Sequence, residues 1–182
     1  DWVQQQATER DVSAVFMAGH GVNDATGEYF FLSFDARLDR LERTSLSQSE
    51  IRRVLSLTPG KALFFFDTCH SGQIMAMRRA LPPDVDRFVA ALQSAENGVI
   101  VFSASTGRQF AFEDSNWGNG AFTKALLEGL SGQADYRKDG AVTLNELDIY
   151  LSERVKELTD GRQSPTTAKP ASTQDFPIVV LR

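Results

Sequence analysis

Residues 62–72 have the sequence ALFFFDTCHSG, and this stretch decides how the rest of the chain is interpreted. Its apolar run has no polar interruption, which is typical of a short strand buried on both faces of a parallel sheet. The run stops at Asp67 and is followed by the only cysteine, Cys69. Ligands and catalytic groups gather where such strands end. The acid, thiol, imidazole and hydroxyl at this point therefore indicate an active site.

The composition predicts one globular domain over residues 1–182. The chain is 42% hydrophobic and contains 13 Phe, enough to fill a core. Its net charge is −5 and its Lys and Arg are scattered, so we expect no nucleic-acid partner. No apolar run approaches the roughly 20 residues of a membrane span, so we expect no membrane partner. A single cysteine excludes an internal disulfide and favours the reducing cytoplasm.

Strands and helices are expected to alternate along the chain. The apolar residues 12–18 predict a strand that ends just before His20. Ser47 and Glu50 form a capping box, which predicts that a helix precedes the strand at 62–66. A strand, helix, strand order implies a mostly parallel sheet with right-handed crossovers, and hence an α/β fold. Further helices are expected at 84–95, 121–130 and up to 158, and further strands at 29–34, 98–104 and 177–181.

The two strand ends carry a candidate catalytic pair. Because His20 and Cys69 close neighbouring parallel strands, both are expected at the same edge of the sheet. His70 is adjacent to Cys69 in sequence and should point the other way in extended backbone, so His20 is the better base. Glycines follow both strands, which makes the N–H groups of Gly21 and Cys69 candidates for an oxyanion hole.

Two other interpretations of these residues remain. Cys69 can be a buried structural cysteine and His20 a hydrogen-bonded loop histidine. A zinc site would use His20, Cys69 and His70, but the sequence offers no fourth ligand at suitable spacing, so we expect no metal there.

Residues 135–146 resemble a calcium-binding EF-hand loop in part. Acids stand at loop positions 1, 5 and 12 and glycine at position 6, but position 3 is Arg137, a cation where a ligand oxygen should be. We therefore expect a tight turn in which Thr143 and Glu146 cap the next helix. The loop Asp135–Glu146 does not support calcium activation, and no cofactor is expected.

The motifs AGHG at residues 18–21 and FFFDTCHSG about fifty residues later resemble the caspase-like cysteine peptidases of clan CD, family C14. The metacaspases and bacterial caspase-like domains, with HG and DxCHSG signatures, are more similar than animal caspases, which have QAC at the nucleophile. The resemblance covers nearly the whole chain. It implies a three-layer sandwich around the sheet, and a thiol protease in which His20 and Cys69 hydrolyse protein or peptide substrates.

The resemblance also implies a specificity. Asp67 lies two residues before Cys69 and is expected on the same face of the strand, where its carboxylate can bind a cationic substrate side chain. In metacaspases the matching Asp lines the pocket for Arg or Lys at P1, the residue before the scissile bond. Asp67 can alternatively accept hydrogen bonds from loop N–H groups. Glu113, Asp114 and Asp35 are further candidate pocket acids.

The family's sheet contains an N-terminal strand beside the strand that carries the His, and this chain begins after it. An unpaired apolar edge is a liability, so we expect an N-terminal fragment of the same protein to complete the sheet. A basic-specific zymogen could also cut itself at Arg78 or Arg79. These arginines lie in a predicted loop at residues 73–87, where a subunit boundary is expected.

Two rival functions follow from the same residues. One is a catalytically silent signalling or scaffold domain that keeps the fold, against which the intact His20 and Cys69 argue. The other is a different hydrolase or transferase that uses the same pair, because a fold does not determine a function.

Overall fold

The computed structural model describes residues 2–69, 84–93, 99–104, 113–114 and 118–182. Its helices are α1 Trp2–Gln6, α2 Leu41–Thr44, α3 Gln48–Ser56, α4 Val85–Gln93, α5 Ala121–Glu128 and α6 Leu144–Leu158. Its strands are β1 Val12–Asn23, β2 Tyr29–Leu32, β3 Ser45–Ser47, β4 Lys61–Cys69, β5 Ile100–Ser103, β6 Glu113–Asp114, β7 Asn119–Gly120, β8 Ala141–Thr143, β9 Thr166–Ala168 and β10 Pro177–Val180. A 3₁₀ turn, Leu38–Arg40, precedes α2, and a π-helical segment, Gly129–Gln133, follows α5.

A six-stranded sheet forms the centre of the molecule. Its strand order is β3-β2-β1-β4-β5-β9, and the three middle strands, β1, β4 and β5, run parallel. The flanking strands β2 and β9 pair antiparallel. The predicted α/β fold with a parallel central sheet is therefore confirmed.

Strand β4 is buried from Ala62 to Thr68 because helices cover both of its faces. Leu63 and Phe65 pack with Phe122 of α5 and with residues of α6. Phe64 and Phe66 pack on the opposite face with residues of α3 and α4. Alternating side chains of one apolar run thus supply two cores, and the three-layer arrangement follows from that run.

The predicted capping boxes are confirmed at the starts of α3 and α6. The hydroxyl of Ser47 accepts the N–H of Glu50, and the carboxylate of Glu50 accepts the N–H of Ser47. Thr143 and Glu146 make the same reciprocal pair at α6. Each box satisfies N–H groups that a helix start leaves without partners.

Two strand predictions need correction. Strand β1 does not end at residue 18 but continues through Asn23, because β2 folds back and pairs with residues 21–23. The last strand, β10, forms and ends at Val180, but it pairs with β8 in a separate two-stranded sheet. Both outcomes depend on pairing partners, which strand propensity does not specify.

One side of β1 is uncovered within the described part of the chain. Its residues 12–20 pair with β4 on one edge, and no described strand pairs with their other edge. On one face Val12 is 39% and Phe16 is 47% exposed, because the core beneath α5 and α6 covers β4 and β5 but not β1.

Among the described residues no helix is long and apolar enough to cross a membrane.

Candidate active site

The parallel register brings the candidate pair together at the backbone. His20 of β1 is the direct partner of Cys69 of β4, and Ala18 is the partner of Asp67. Neighbouring strands lie about 4.8 Å apart, so the two Cα atoms are adjacent across the sheet. The imidazole of His20 is exposed, on the same face of β1 as Phe16. A group at this position can meet a ligand from solvent.

Contrary to the sequence prediction, Gly21 does not follow the end of its strand. It continues strand β1 opposite Phe31, and the turn comes later, at residues 24–27. Gly21 is buried, and a Cβ built there would overlap the ring and the hydroxyl of Tyr29. Glycine is therefore required at this position by the packing of Tyr29.

Tyr29 is fully buried and packs against Gly21 of β1 and Phe66 of β4, on the face of the sheet that α3 and α4 cover. Its ring stacks on Phe88 of α4 at 4.7 Å between centroids and meets Phe66 of β4 edge-on. Burial raises the pKa of Tyr29 strongly, and an interaction with the Thr68 side chain opposes the rise only in part. The hydroxyl has no hydrogen-bond partner in good geometry among the described residues.

Asp67 is buried at the end of β4, with only 6% of its surface exposed. The hydroxyl of Thr123 in α5 donates a hydrogen bond of 2.6 Å to its Oδ2. By strand alternation Asp67 shares the face of Leu63 and Phe65, which belong to the core beneath α5. The carboxylate is therefore held at the edge of that core, one strand away from Ala18 of β1.

The other candidate pocket acids occupy two different places. Asp35 is exposed on the segment after β2, where it accepts the hydroxyl of Ser33. Because β2 runs antiparallel to β1, this segment leads back along β1 rather than past its carboxyl end. Glu113 and Asp114 form β6, and the backbone of Glu113 pairs with Gly120, the N-cap of α5. These two acids thus lie near the helix that holds Asp67.

Several predicted features lie outside the described residues. They are His70, the two candidate processing sites Arg78 and Arg79, and residues 73–83 of the expected subunit boundary. The rest of that predicted loop, residues 84–87, includes the start of α4.

The loop Asp135–Glu146 uses its acids within the chain. Asp135 accepts the N–H groups of Asp139 and Gly140, and Glu146 accepts the backbone N–H and the guanidinium of Arg137. Burial of Glu146 would raise its pKa, but hydrogen bonds from Thr143 and Arg137 outweigh it and lower the pKa to about 2. Arg137 thus supplies the positive charge that a metal ion supplies in a calcium loop.

No cluster of three or more His, Cys, Asp or Glu that could hold a metal occurs within the described ranges. A cleft of about 530 Å³ lies elsewhere, between Asp24, Phe30 and residues 38–43. Neither His20 nor Asp67 lines this cleft, so it is separate from the candidate pair.

The family model of the caspase domain of C14 peptidases matches residues 1–177. The chain belongs to the caspase peptidase family. Its members are cysteine peptidases, so the predicted family and the general hydrolase class are confirmed.

A comparison with solved structures finds a protein of similar fold. A protein from Geobacter sulfurreducens, known from its crystal structure, superposes with a TM-score of 0.57 at 16% identity, over 94% of this chain and 70% of that one. At this identity the likeness concerns the fold. A search of curated proteins finds no significant match.

Two residues of this caspase-family site are not indicated by any sequence pattern. Thr123 is one of several polar residues in an amphipathic helix, and Tyr29 is one of several aromatic residues in a short strand. Their importance comes from the groups they touch, Asp67 and Gly21, which are far away in sequence or on another strand.

Proposed function

We propose that this caspase-family chain is a metacaspase-like cysteine endopeptidase that cleaves peptide bonds after Arg or Lys. The observation that supports it most directly is the register that pairs His20 of β1 with Cys69 at the end of the adjacent parallel strand β4. Nucleophilic catalysis by a thiol needs a base and a general acid within reach of the sulfur. Residues at paired positions of adjacent strands are near enough for their side chains to meet. The exposure of His20 leaves one side of the pair open to a substrate.

In the proposed reaction the Cys69 thiolate attacks the scissile carbonyl carbon and forms a tetrahedral oxyanion. The N–H groups of Gly21 and Cys69 donate hydrogen bonds to that oxygen. His20 holds the thiol proton and delivers it to the leaving amine as the C–N bond breaks. Water, deprotonated by His20, then hydrolyses the thioester and restores the thiol.

Asp67 is proposed to bind the cationic P1 side chain. A carboxylate near the carboxyl end of β4, two residues before the nucleophile, lies within reach of the substrate residue that precedes the scissile bond. Its burial makes an ion pair stronger than it would be in water. Glu113 and Asp114, near the start of α5, are proposed as additional acids around the bound cation, whereas Asp35 lies on the segment that leads back along β1.

Activation is proposed to involve proteolytic processing. Self-cleavage after Arg78 or Arg79 would follow from the enzyme's own preference for basic residues. We also propose that an N-terminal fragment of the same protein pairs with the open edge of β1, since that edge and its apolar face lack a described partner.

A panel of fluorogenic peptides with Arg, Lys, Asp or Leu at P1 tests the function. We expect hydrolysis of the Arg and Lys peptides alone, unchanged when calcium is added, and no hydrolysis by Cys69→Ala. Asp67→Asn should lower kcat/KM for the Arg peptide by about 100-fold, because the P1 cation is then buried without its charged partner. Cleavage of the Asp peptide alone would contradict the specificity, and a wild type inactive on every peptide would favour a silent scaffold domain.

A further inference from the structure

We propose that Thr123 is a positioning residue for specificity: it holds the Asp67 carboxylate in the orientation that binds the P1 cation. The inference rests on the proposed function and adds to it a residue from another layer of the fold. Its basis is the 2.6 Å hydrogen bond from Thr123 Oγ1 to Asp67 Oδ2, which joins helix α5 to the end of β4 across 56 residues of sequence.

Asp67 lies on an otherwise apolar face of β4. The same face of β4 carries Leu63 and Phe65, both packed in the core beneath α5. An apolar side chain at 67 would extend that core, whereas a carboxylate brings a charge to its edge. A carboxylate with 6% exposure instead loses most of its hydration and needs polar partners. The Thr123 hydroxyl is one such partner.

Thr123 is suited to fix that charge in one orientation. It lies in the first turn of α5, two residues after Ala121, and is half-buried. A β-branched side chain has few rotamers in a helix, so its hydroxyl has a defined direction. A hydrogen bond to a charged acceptor is short and stronger than one between neutral groups. Because Thr123 stands in the first turn of α5, the positive end of that helix lies on the side of the carboxylate.

A consequence concerns selectivity between substrates. If Thr123 orients Asp67, loss of the hydroxyl should weaken binding of a P1 cation and leave a neutral P1 side chain of similar length unaffected. If Thr123 only ties α5 to β4, loss of the hydroxyl should affect every substrate equally. The ratio of kcat/KM for Arg over Gln at P1 therefore separates positioning from structural support.

The test compares wild type with Thr123→Val, which keeps the shape, Thr123→Ser, which keeps the hydroxyl, and Thr123→Ala. We expect Thr123→Val and Thr123→Ala to lower the Arg over Gln ratio by about 10-fold, mainly through KM, as expected for one hydrogen bond to a charged group. Thr123→Ser should retain the ratio within about 2-fold. The matched control is Ser131→Ala, which removes an exposed hydroxyl bonded only to the Leu127 carbonyl, and it should leave the ratio unchanged.

Thermal unfolding of each variant is measured alongside, so that kinetic comparisons use folded protein. A wild type that prefers Arg or Lys, combined with an unchanged ratio in both Thr123→Val and Thr123→Ala, overturns this inference alone. Equal losses for the Arg and Gln peptides also overturn it, because that pattern is structural. A wild type without preference for Arg or Lys overturns the proposed specificity and this inference together.

Discussion

Two side chains contact the strands that carry His20 and Cys69 from opposite faces of the sheet. Thr123 contacts Asp67 from the side of α5, and Tyr29 packs under Gly21 from the side of α4. The two contacts differ in kind. The first is a short polar bond to a charged group, whereas the second places a hydroxyl in an apolar core. Their effects on stability should differ accordingly.

Tyr29→Phe is expected to stabilise the fold by about 1 kcal/mol, because it removes a buried hydroxyl without a well-placed partner. The ring contacts with Phe66 and Phe88 remain. Urea unfolding of both proteins measures the difference. Tyr136→Phe serves as the control, since it removes a hydroxyl that donates to Glu153 at 2.9 Å and should not stabilise. A loss of stability in Tyr29→Phe would mean that its hydroxyl is bonded in the fold.

At the scale of elements, the acids of the loop before α6 are hydrogen-bonded within the chain. Arg137 reaches Glu146 at 3.3 Å and Asp139 at 3.4 Å, while Glu146 also caps the helix. The cation that disrupts the EF-hand pattern in the sequence is therefore part of the loop's own hydrogen-bond network. The loop and the capping box form one unit, in which Glu146 is the shared residue.

Glu146→Gln keeps an acceptor for the N–H of Thr143 but removes the charge that accepts from Arg137, and should destabilise the fold by about 1–2 kcal/mol. The pKa of Glu146 is lowered to about 2, so its ionised form stabilises the fold fully above about pH 5. That stabilisation is lost as the pH falls from about 5 towards 2. Melting temperatures recorded from pH 7 to pH 2 should therefore fall less steeply in Glu146→Gln than in wild type. The exposed Glu157→Gln should follow the wild-type profile, and parallel profiles for all three proteins would contradict the assignment.

At the scale of the whole molecule, the two faces of the sheet are covered unequally. Helices α3 and α4 and strand β2 bury one face, including Val15 and Met17 of β1. Helices α5 and α6 bury the other face only over β4 and β5, so Val12 and Phe16 stay exposed. An open strand edge beside an exposed apolar face is a site that further polypeptide can cover.

Intact mass and terminal sequencing of the full gene product test both proposals about processing. We expect the wild type to contain an N-terminal fragment that copurifies with this chain, and new ends after Arg78 or Arg79. Cys69→Ala should lack those new ends, because the cut depends on the enzyme's own thiol. Ends that persist in Cys69→Ala would exclude self-processing, and a wild type without a companion fragment would count against the added strand.

The sequence alone was sufficient to predict the three-layer arrangement of the fold and the family. An uninterrupted apolar run specifies a strand buried on both faces, so β4 and its two cores could be predicted from residues 62–66. The capping boxes at Ser47 and Thr143 located the starts of α3 and α6, because capping is a contact between residues three apart. The order of elements implied parallel strands, and the register then put His20 next to Cys69.

Only the tertiary structure decided which groups surround His20, Gly21 and Asp67 on β1 and β4. The length of β1, the need for glycine at Gly21 and the bond from Thr123 to Asp67 all involve partners on other elements. Hydrophobic periodicity shows which face of an element is buried but not which side chain on another element it meets. Local sequence therefore determined the strands and helices of this protein, and packing between distant residues determined the environment of its proposed site.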